Sequence, residues 1–275
     1  MMTEIDLTAR LTQAETIARL AGSLAHDHFR RRDGLAIETK RSLTDMVSNA
    51  DREVETLIRE KLQSAFPTDA MLGEEYGHTP GESGLTWVVD PIDGTAPFLN
   101  GLPGWCVSIG LMDDSCTPLL GAVFAPALGE MFLGARGCGA SLNGQQIHVT
   151  RRFDLSSGLL GLGGNDRVPP ARLGQLHGEL AAEGIAWVRY GSGALMLAYV
   201  AAGRLVGYCE PRMSLWDCLA AYALIEAAGG KVLPFSPAAL QGAPFGVMGT
   251  TAADYDRLKA LTRFEALDWE NGTGS

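Results

Sequence analysis

The sequence predicts an α+β fold built from layers, and the order of its segments supports this prediction. Two helix-like segments come first, strand-like segments fill the middle of the chain, and strands then alternate with helices. This order is typical of layered α+β proteins and not of a doubly wound parallel sheet. With 275 residues, 46% of them hydrophobic, the chain can bury a full core as one large domain or two closely joined parts.

The chain begins with two predicted helices. Apolar residues recur at spacings of three and four over 7–29, which is the period of an amphipathic helix. A second helix is predicted over 52–66, where Asp51 stands at the N-cap position and Pro67 ends the helix. A polar loop that contains Lys40 separates the two helices.

The strand-like segments that follow are short, apolar and bounded by turn residues. They cover residues 70–73, 85–90, 106–112, 119–126 and 130–135. The last three predict an antiparallel meander, because only short turns separate them. Helices are predicted again at 193–202 and 217–228, and a Gly-Gly pair ends the second of these.

Charge and composition exclude several classes of partner. The net charge is −10, and no basic run of five or more residues is present, so we expect neither a nucleic-acid partner nor an anionic membrane partner. The N-terminus carries acids where a signal peptide would carry basic residues, and no apolar stretch has the length of a membrane span, so we expect a cytoplasmic protein. The five cysteines include no C-x-x-C pair, which argues against a zinc knuckle or a disulfide framework.

Acidic residues stand at the ends of four predicted elements. Asp90 and Asp93 end one apolar strand, and Glu74 follows another. Asp217 and Asp51 stand at predicted helix starts. Carboxylates at the end of a buried strand are costly to desolvate unless a cation compensates them. Oxygen ligands without His or Cys suit Mg²⁺, so two ions that share a carboxylate would account for the closely spaced aspartates.

Each acid also has a simpler explanation when it is taken alone. Asp51 and Asp217 would serve as plain helix N-caps, and Glu74 would suit a solvated turn. Asp93 with the following glycine would suit an ordinary turn. The joint occurrence of these motifs favours a shared site, because Asp-Pro-Ile-Asp-Gly-Thr, Gly-Glu-Glu and Trp-Asp rarely occur together by chance.

With these motifs the sequence resembles the inositol monophosphatase family, within a wider group of Mg²⁺-dependent, lithium-sensitive phosphatases that includes the fructose-bisphosphatases. The family's D-P-[IL]-D-G-T motif is present at residues 90–95, and its W-D signature is Trp216-Asp217. The resemblance implies a layered α-β-α-β-α sandwich that forms a single domain over 1–275. Its N-terminal α+β part would reach about residue 150, and its C-terminal α/β part would cover about 151–270.

The resemblance also implies how two or three Mg²⁺ ions per site are held. The family residues that match Glu74, Asp90 and the backbone carbonyl of Ile92 bind the first ion. Those that match Asp90, Asp93 and Asp217 bind the second ion, and a weaker third ion contacts Glu74. Such ions activate a water molecule and clamp the phosphoryl oxygens in an in-line displacement.

Catalytic and substrate-binding roles follow from the same resemblance. Asp51 and Thr95 would orient the nucleophilic water, with Glu74 as a further catalytic residue. The residues implied to contact the substrate are Asp93, Gly94, Thr95, Gly191, Ser192, Glu210 and Arg212. Among them, Glu210 would accept hydrogen bonds from substrate hydroxyls. Arg212 would either pair with Glu210 or face a second anionic group.

The implied function is that of a Mg²⁺-dependent phosphomonoesterase whose partner is a small phosphate ester, with inositol 1-phosphate favoured. A histidinol-phosphate or sugar-phosphate phosphatase on the same scaffold is the alternative, because Ala96-Pro97 replaces the Asn common after D-G-T in the inositol branch. A non-catalytic regulatory relative is a third hypothesis. Loss of a metal carboxylate would favour it, and none is lost. Because family members are commonly homodimers, we expect a homodimer.

Overall fold

The structure is a computed structural model that describes residues 6–32, 37–39, 46–235, 239 and 245–264. The loop with Lys40 and the C-terminal tail lie outside the described residues. The helices α1 to α7 are Leu7–Arg30, Asn49–Ala65, Thr95–Leu99, Pro170–Ala182, Gly193–Ala201, Leu219–Ala227 and Tyr255–Thr262. The strands β1 to β15 are Ile37–Thr39, Met46–Ser48, Ala70–Gly73, Gly77–Thr79, Leu85–Asp93, Cys106–Asp113, Pro118–Ala125, Glu130–Ala135, Gly139–Leu142, Gln145–Ile147, Leu159–Leu162, Ala186–Val188, Gly207–Met213, Lys231–Val232 and Phe245–Thr250.

An eight-stranded sheet forms the first half of the molecule, in the order β10-β9-β8-β7-β6-β5-β3-β4. Its neighbouring strands are antiparallel except for β3 and β5, which are parallel. The predicted meander is confirmed by β6, β7 and β8, which pair in sequence order. The central strand β5 is buried along its whole length except at Thr86, and this explains its nearly continuous apolar sequence.

A second sheet of five strands follows in the order β12-β11-β13-β15-β14. Strand β11 is parallel to both β12 and β13, whereas β15 is antiparallel to β13 and β14. This mixed pattern agrees with the predicted alternation of strands and helices in the second half of the chain.

The helices form three layers around the two sheets, and this confirms the α-β-α-β-α sandwich. Helices α1 and α2 pack on the outer face of the large sheet. Helices α5 and α6 lie between the sheets. Helices α4 and α7 cover the outer face of the small sheet. None of the helices in the described parts of the chain is both long and apolar enough to span a membrane.

Helix α6 approaches the large sheet very closely, and glycine makes this possible. A Cβ atom at Gly121 would lie 2.0 Å from the backbone oxygen of Ala220, and one at Gly110 would lie 2.9 Å from the nitrogen of the same alanine. Small residues on both sides therefore let the start of α6 pack directly against β6 and β7.

Two acids that were expected to cap helices do not do so. Helix α2 begins at Asn49, directly after β2, so Asp51 is inside its first turn and is 1% exposed. Helix α6 has Cys218 as its N-cap, and Asp217 precedes that cap. The plain N-cap explanation is therefore wrong for both residues.

Candidate active site

Three carboxylates meet where β5 ends and α6 begins. One oxygen atom from each of Asp90, Asp93 and Asp217 can be chosen so that all three lie within 4.8 Å of one another. Asp90 and Asp93 are buried, and Asp217 is half-buried. A set of closely spaced oxygen donors without His or Cys suits a hard divalent cation such as Mg²⁺.

A β-bulge places the two aspartates of β5 together. Asp90 pairs with Ser108 and Asp93 pairs with Cys106, so the register shifts by one residue between them. In a regular strand, residues three apart point to opposite faces, and the extra residue of the bulge restores a common side. The backbone nitrogen of Ile92 donates a hydrogen bond of 2.9 Å to Asp90 Oδ1, which fixes the inner carboxylate.

Asp93 is also bound to the start of α5. Its Oδ2 atom accepts hydrogen bonds from Ser192 Oγ at 2.5 Å and from the backbone nitrogen of Ala194 at 2.7 Å. Burial raises the pKa of Asp93 to about 6, although these hydrogen bonds act in the opposite direction. Asp93 therefore has a structural role in addition to any role as a ligand.

Asp217 is held by the segment that precedes it. The backbone nitrogen of Ser214 donates a hydrogen bond of 3.0 Å to Asp217 Oδ2. Ser108 Oγ donates one of 3.4 Å to the carbonyl of Trp216, and this bond ties the segment to β6. Burial, and next the charge of Asp93, raise the pKa of Asp217 to about 8.

The other four acids singled out from the sequence all lie within electrostatic range of Asp90. Burial raises its pKa well above the usual value, and the charges of Glu74, Asp93, Asp217 and Asp51 raise it further, in that order. Mutual repulsion of this kind is relieved when a cation binds among the carboxylates.

A buried glutamate that the sequence reasoning missed supports the turn with Glu74. Glu55 on α2 is fully buried, and its carboxylate accepts hydrogen bonds from the backbone nitrogens of Glu75 at 2.7 Å and Tyr76 at 3.3 Å. Arg59, one turn later on α2, donates to the same carboxylate at 2.7 Å. The available signal was a Glu-Arg pair four residues apart, with its Glu on the apolar face of the helix.

The Gly-Thr pair of the motif starts a short helix. Gly94 is the N-cap of α3 and has a φ of +94°, a conformation that favours glycine. Thr95 Oγ1 donates a hydrogen bond of 3.3 Å to the carbonyl oxygen of Ile92, whose side chain is fully buried. The structure thus brings together the carbonyl expected to bind a metal ion and the hydroxyl expected to orient water.

The candidate site opens into one cleft with a volume of about 380 Å³. Of the residues singled out from the sequence, the cleft is lined by Glu74, Asp90, Ile92, Asp93, Gly94, Thr95, Gly191, Ser192, Glu210 and Asp217. Asp51 lies behind this surface, within electrostatic range of Asp90.

Glu210 lies in the middle of β13. It is 8% exposed, and it accepts hydrogen bonds from Tyr208 Oη at 2.6 Å and from Asn165 Nδ2 at 3.2 Å. Burial raises its pKa to about 7. A Cβ atom at Gly163 would lie 2.1 Å from Glu210 Oε2, so this glycine leaves room for the carboxylate.

The arginine expected to contact the substrate does not line the cleft. Arg212 is half-buried, and its backbone carbonyl accepts a hydrogen bond of 2.7 Å from Asn165 Nδ2. In a regular strand, side chains two positions apart point to the same face, so Glu210 and Arg212 would share a face. The pairing of β13 with β15 shifts register between Glu210 and Met213, and this irregularity allows the two side chains to point in different directions. Arg167 and Arg189 line the cleft instead.

The family model described as "Inositol monophosphatase family" matches residues 6–263 of the chain. Among curated relatives, the inositol-1-monophosphatase of Rhizobium meliloti is 40% identical over 224 residues, which cover 78% of this chain and 81% of that protein. A Xylella fastidiosa protein named "Nus factor SuhB" is 37% identical over 229 residues, which cover 80% of each chain.

A solved structure shows the same fold. The extragenic suppressor protein suhB from Bartonella henselae superposes with a TM-score of 0.84 at 28% sequence identity, and the match covers 93% of this chain and 98% of that chain.

Proposed function

The chain belongs to the inositol monophosphatase family, and from this membership we propose that it is a Mg²⁺-dependent phosphomonoesterase acting on small polyol phosphates. Inositol 1-phosphate is the favoured substrate. The observation that carries the proposal is the cluster of Asp90, Asp93 and Asp217, whose oxygens lie within 4.8 Å of one another beside a cleft.

In this proposal four of the acids, together with the backbone carbonyl of Ile92, hold two or three Mg²⁺ ions. Glu74, Asp90 and the carbonyl of Ile92 would hold one ion, and Asp90 would share a second with Asp93 and Asp217. When bound, such ions lower the pKa of a water molecule and neutralise charge on the phosphoryl oxygens.

The remaining roles belong to groups of the chain itself. Thr95 and Asp51 would orient the attacking water, and the backbone amides of Gly94 and Thr95 would donate to phosphate oxygens. Glu210, fixed by its hydrogen bonds to Tyr208 and Asn165, would accept from substrate hydroxyls. Gly191 and Ser192 would line the same side.

Phosphate release from inositol 1-phosphate, histidinol phosphate and a sugar phosphate tests this function. We expect turnover that requires Mg²⁺, stops in excess EDTA, and is inhibited by Li⁺ and by excess Ca²⁺, because Ca²⁺ binds oxygen ligands at longer distances and with looser geometry. Full activity in excess chelator would rule out the metal mechanism. Turnover of histidinol phosphate alone would assign the alternative substrate.

A second candidate function comes from the relatives named "Nus factor SuhB". It is a regulatory role without catalysis. Retention of every expected metal carboxylate favours the enzyme. A purely regulatory protein has no need for closely packed, buried carboxylates, whose ionisation is unfavourable without a cation. A folded wild-type protein that binds Mg²⁺ but releases no phosphate from any of these substrates would favour the regulatory role.

A homodimer is also proposed, and light scattering coupled to size-exclusion chromatography would test it.

A further inference from the structure

Two cations line the cleft on the side of the second sheet. Arg189 directly follows β12, and Arg167 lies in the segment after β11. Since β11 and β12 are parallel neighbours, the segments that follow them, and with them both arginines, lie at the carboxyl ends of these strands. Both are exposed, and both contribute to the cleft wall together with Glu210.

The segment that carries these cations is fixed by hydrogen bonds. Arg189 Nη2 donates to the carbonyl oxygen of Gly164 at 2.5 Å. Asn165 Oδ1 accepts a hydrogen bond of 3.1 Å from the backbone nitrogen of Arg167, which forms an Asx turn. Asn165 Nδ2 in turn donates to Glu210. The two guanidinium groups therefore extend from a connected polar wall and not from an isolated loop.

Within the described ranges of the chain, neither Arg167 nor Arg189 forms a salt bridge with a carboxylate. Both oxygens of the neighbouring Glu210 already accept hydrogen bonds from protein groups, and this residue is 8% exposed. The wall also includes Asp166, which is exposed and has an interaction partner within the protein.

The electrostatics locate the two cations relative to the acids of the cleft. The charge of Arg189 lowers the pKa of Glu210, and the charge of Arg167 lowers the pKa of Asp217, although burial dominates and raises both values. The cations therefore lie within electrostatic range of these two carboxylates. Because these attractions are not salt bridges, a substrate with a single phosphate at the aspartates would leave both guanidinium groups without an anion in direct contact.

We propose that Arg167 and Arg189 form a subsite for a second anionic group of the substrate, a phosphate or carboxylate on the same carbon skeleton as the phosphate that is hydrolysed. Guanidinium groups suit both anions because their planar donors match two oxygens at once. The proposal rests on the phosphomonoesterase function proposed above. It extends that function to polyol phosphates with two anionic groups.

Matched substrates test the subsite. Initial rates of phosphate release are measured on fructose 1,6-bisphosphate against fructose 1-phosphate and fructose 6-phosphate, and on 6-phosphogluconate against glucose 6-phosphate. We expect the wild type to favour at least one doubly anionic substrate over its matched partners by tenfold or more in kcat/KM. Preference in the first set identifies a phosphate as the second group, and preference in the second set identifies a carboxylate.

Variants of the two arginines complete the test. Arg167→Gln combined with Arg189→Gln should lower the preference at least fivefold, chiefly through KM, while Arg189→Lys keeps the charge and should retain part of it. Arg151→Gln, which changes an exposed arginine outside the cleft, is the matched control and should leave the preference unchanged. Thermal unfolding confirms that each variant is folded.

Each outcome separates the subsite from the enzyme. If the wild type hydrolyses inositol 1-phosphate or the singly charged sugars but shows no preference for a second anion, the subsite is wrong and the phosphatase function stands. The subsite is also wrong if the double variant keeps the wild-type preference. If no substrate releases phosphate under any metal condition, both proposals fail.

Discussion

Ser192 donates a hydrogen bond of 2.5 Å to Asp93, and this contact joins the end of β5 to the N-terminus of α5. Ser192 is also the N-cap of α5, since its side chain accepts a hydrogen bond of 3.3 Å from the backbone nitrogen of Leu195. One hydroxyl therefore caps the helix and fixes an expected metal ligand. This dual role makes the position sensitive to substitution.

We expect Ser192→Ala to lower the free energy of unfolding by about 2 kcal/mol, because it removes an N-cap and a hydrogen bond to a buried carboxylate. Urea unfolding measured with and without Mg²⁺ checks this. Ser23→Ala on the exposed face of α1 serves as the control and should change stability little. An unchanged midpoint for the Ser192 variant would contradict the assigned role.

Asp217→Asn should abolish turnover and leave the fold intact. The amide oxygen can still accept the hydrogen bond from Ser214, but the loss of charge removes a ligand for the second ion. Without Mg²⁺, the melting temperature should rise, because one of the repelling carboxylates is gone. Calorimetry in EDTA and phosphate release at saturating Mg²⁺ check both parts. Near-wild-type turnover would show that Asp217 holds no essential ion.

Glu55→Gln should weaken Mg²⁺ activation by releasing the turn with Glu74. It leaves the Arg59 guanidinium without its buried partner, and the loss of one member of a buried ion pair typically costs about 3 kcal/mol. The Mg²⁺ concentration for half-maximal activity should increase severalfold. Glu60→Gln changes an exposed glutamate of the same helix and provides the control. Equal Mg²⁺ dependence in both variants would separate Glu55 from the site.

Glu210 should make stability depend on pH. Its pKa is about 7 in the folded protein, above the ordinary value of 4.5, so the folded state binds this proton more tightly than the unfolded state. The free energy of unfolding should therefore fall as pH rises from about 4.5 to about 7, by an amount on the order of 3 kcal/mol, and this contribution should be constant above that window. Urea unfolding across this range, compared with Glu210→Gln, isolates the effect. Parallel profiles for the two proteins would refute it.

Glu210→Gln should also discriminate between substrates. For inositol 1-phosphate we expect a moderate loss of about tenfold in kcat/KM, because an amide oxygen still accepts from a hydroxyl. For histidinol phosphate, which carries a cationic amine, the loss should be much larger, since the attraction between opposite charges disappears. Tyr208→Phe keeps the carboxylate but removes its hydrogen-bond donor, so it should spare the cationic substrate more than Glu210→Gln does. Equal losses on both substrates would contradict a charge-based role.

Local sequence patterns were enough to predict the class of fold and the set of acids. The apolar periods predicted α1, α2 and the meander β6 to β8, because these elements arise from local patterns of three to four or of two residues. The motifs also singled out the acids that the structure brings near Asp90. Short-range signals were sufficient for these conclusions because each depends on residues that are close in the chain.

The arrangement of those residues depends on contacts between segments that are far apart in the chain. The bulge of β5 gives Asp90 and Asp93 a common side, and it depends on the register with β6, which no local pattern specifies. Glu55 supports a turn about 20 residues away, and its role appears only when α2 packs against β5. The choice of cleft cations, Arg167 and Arg189 and not Arg212, likewise depends on which strand ends meet. Contacts between segments that are distant in the chain produce these features, so no local sequence pattern can predict them.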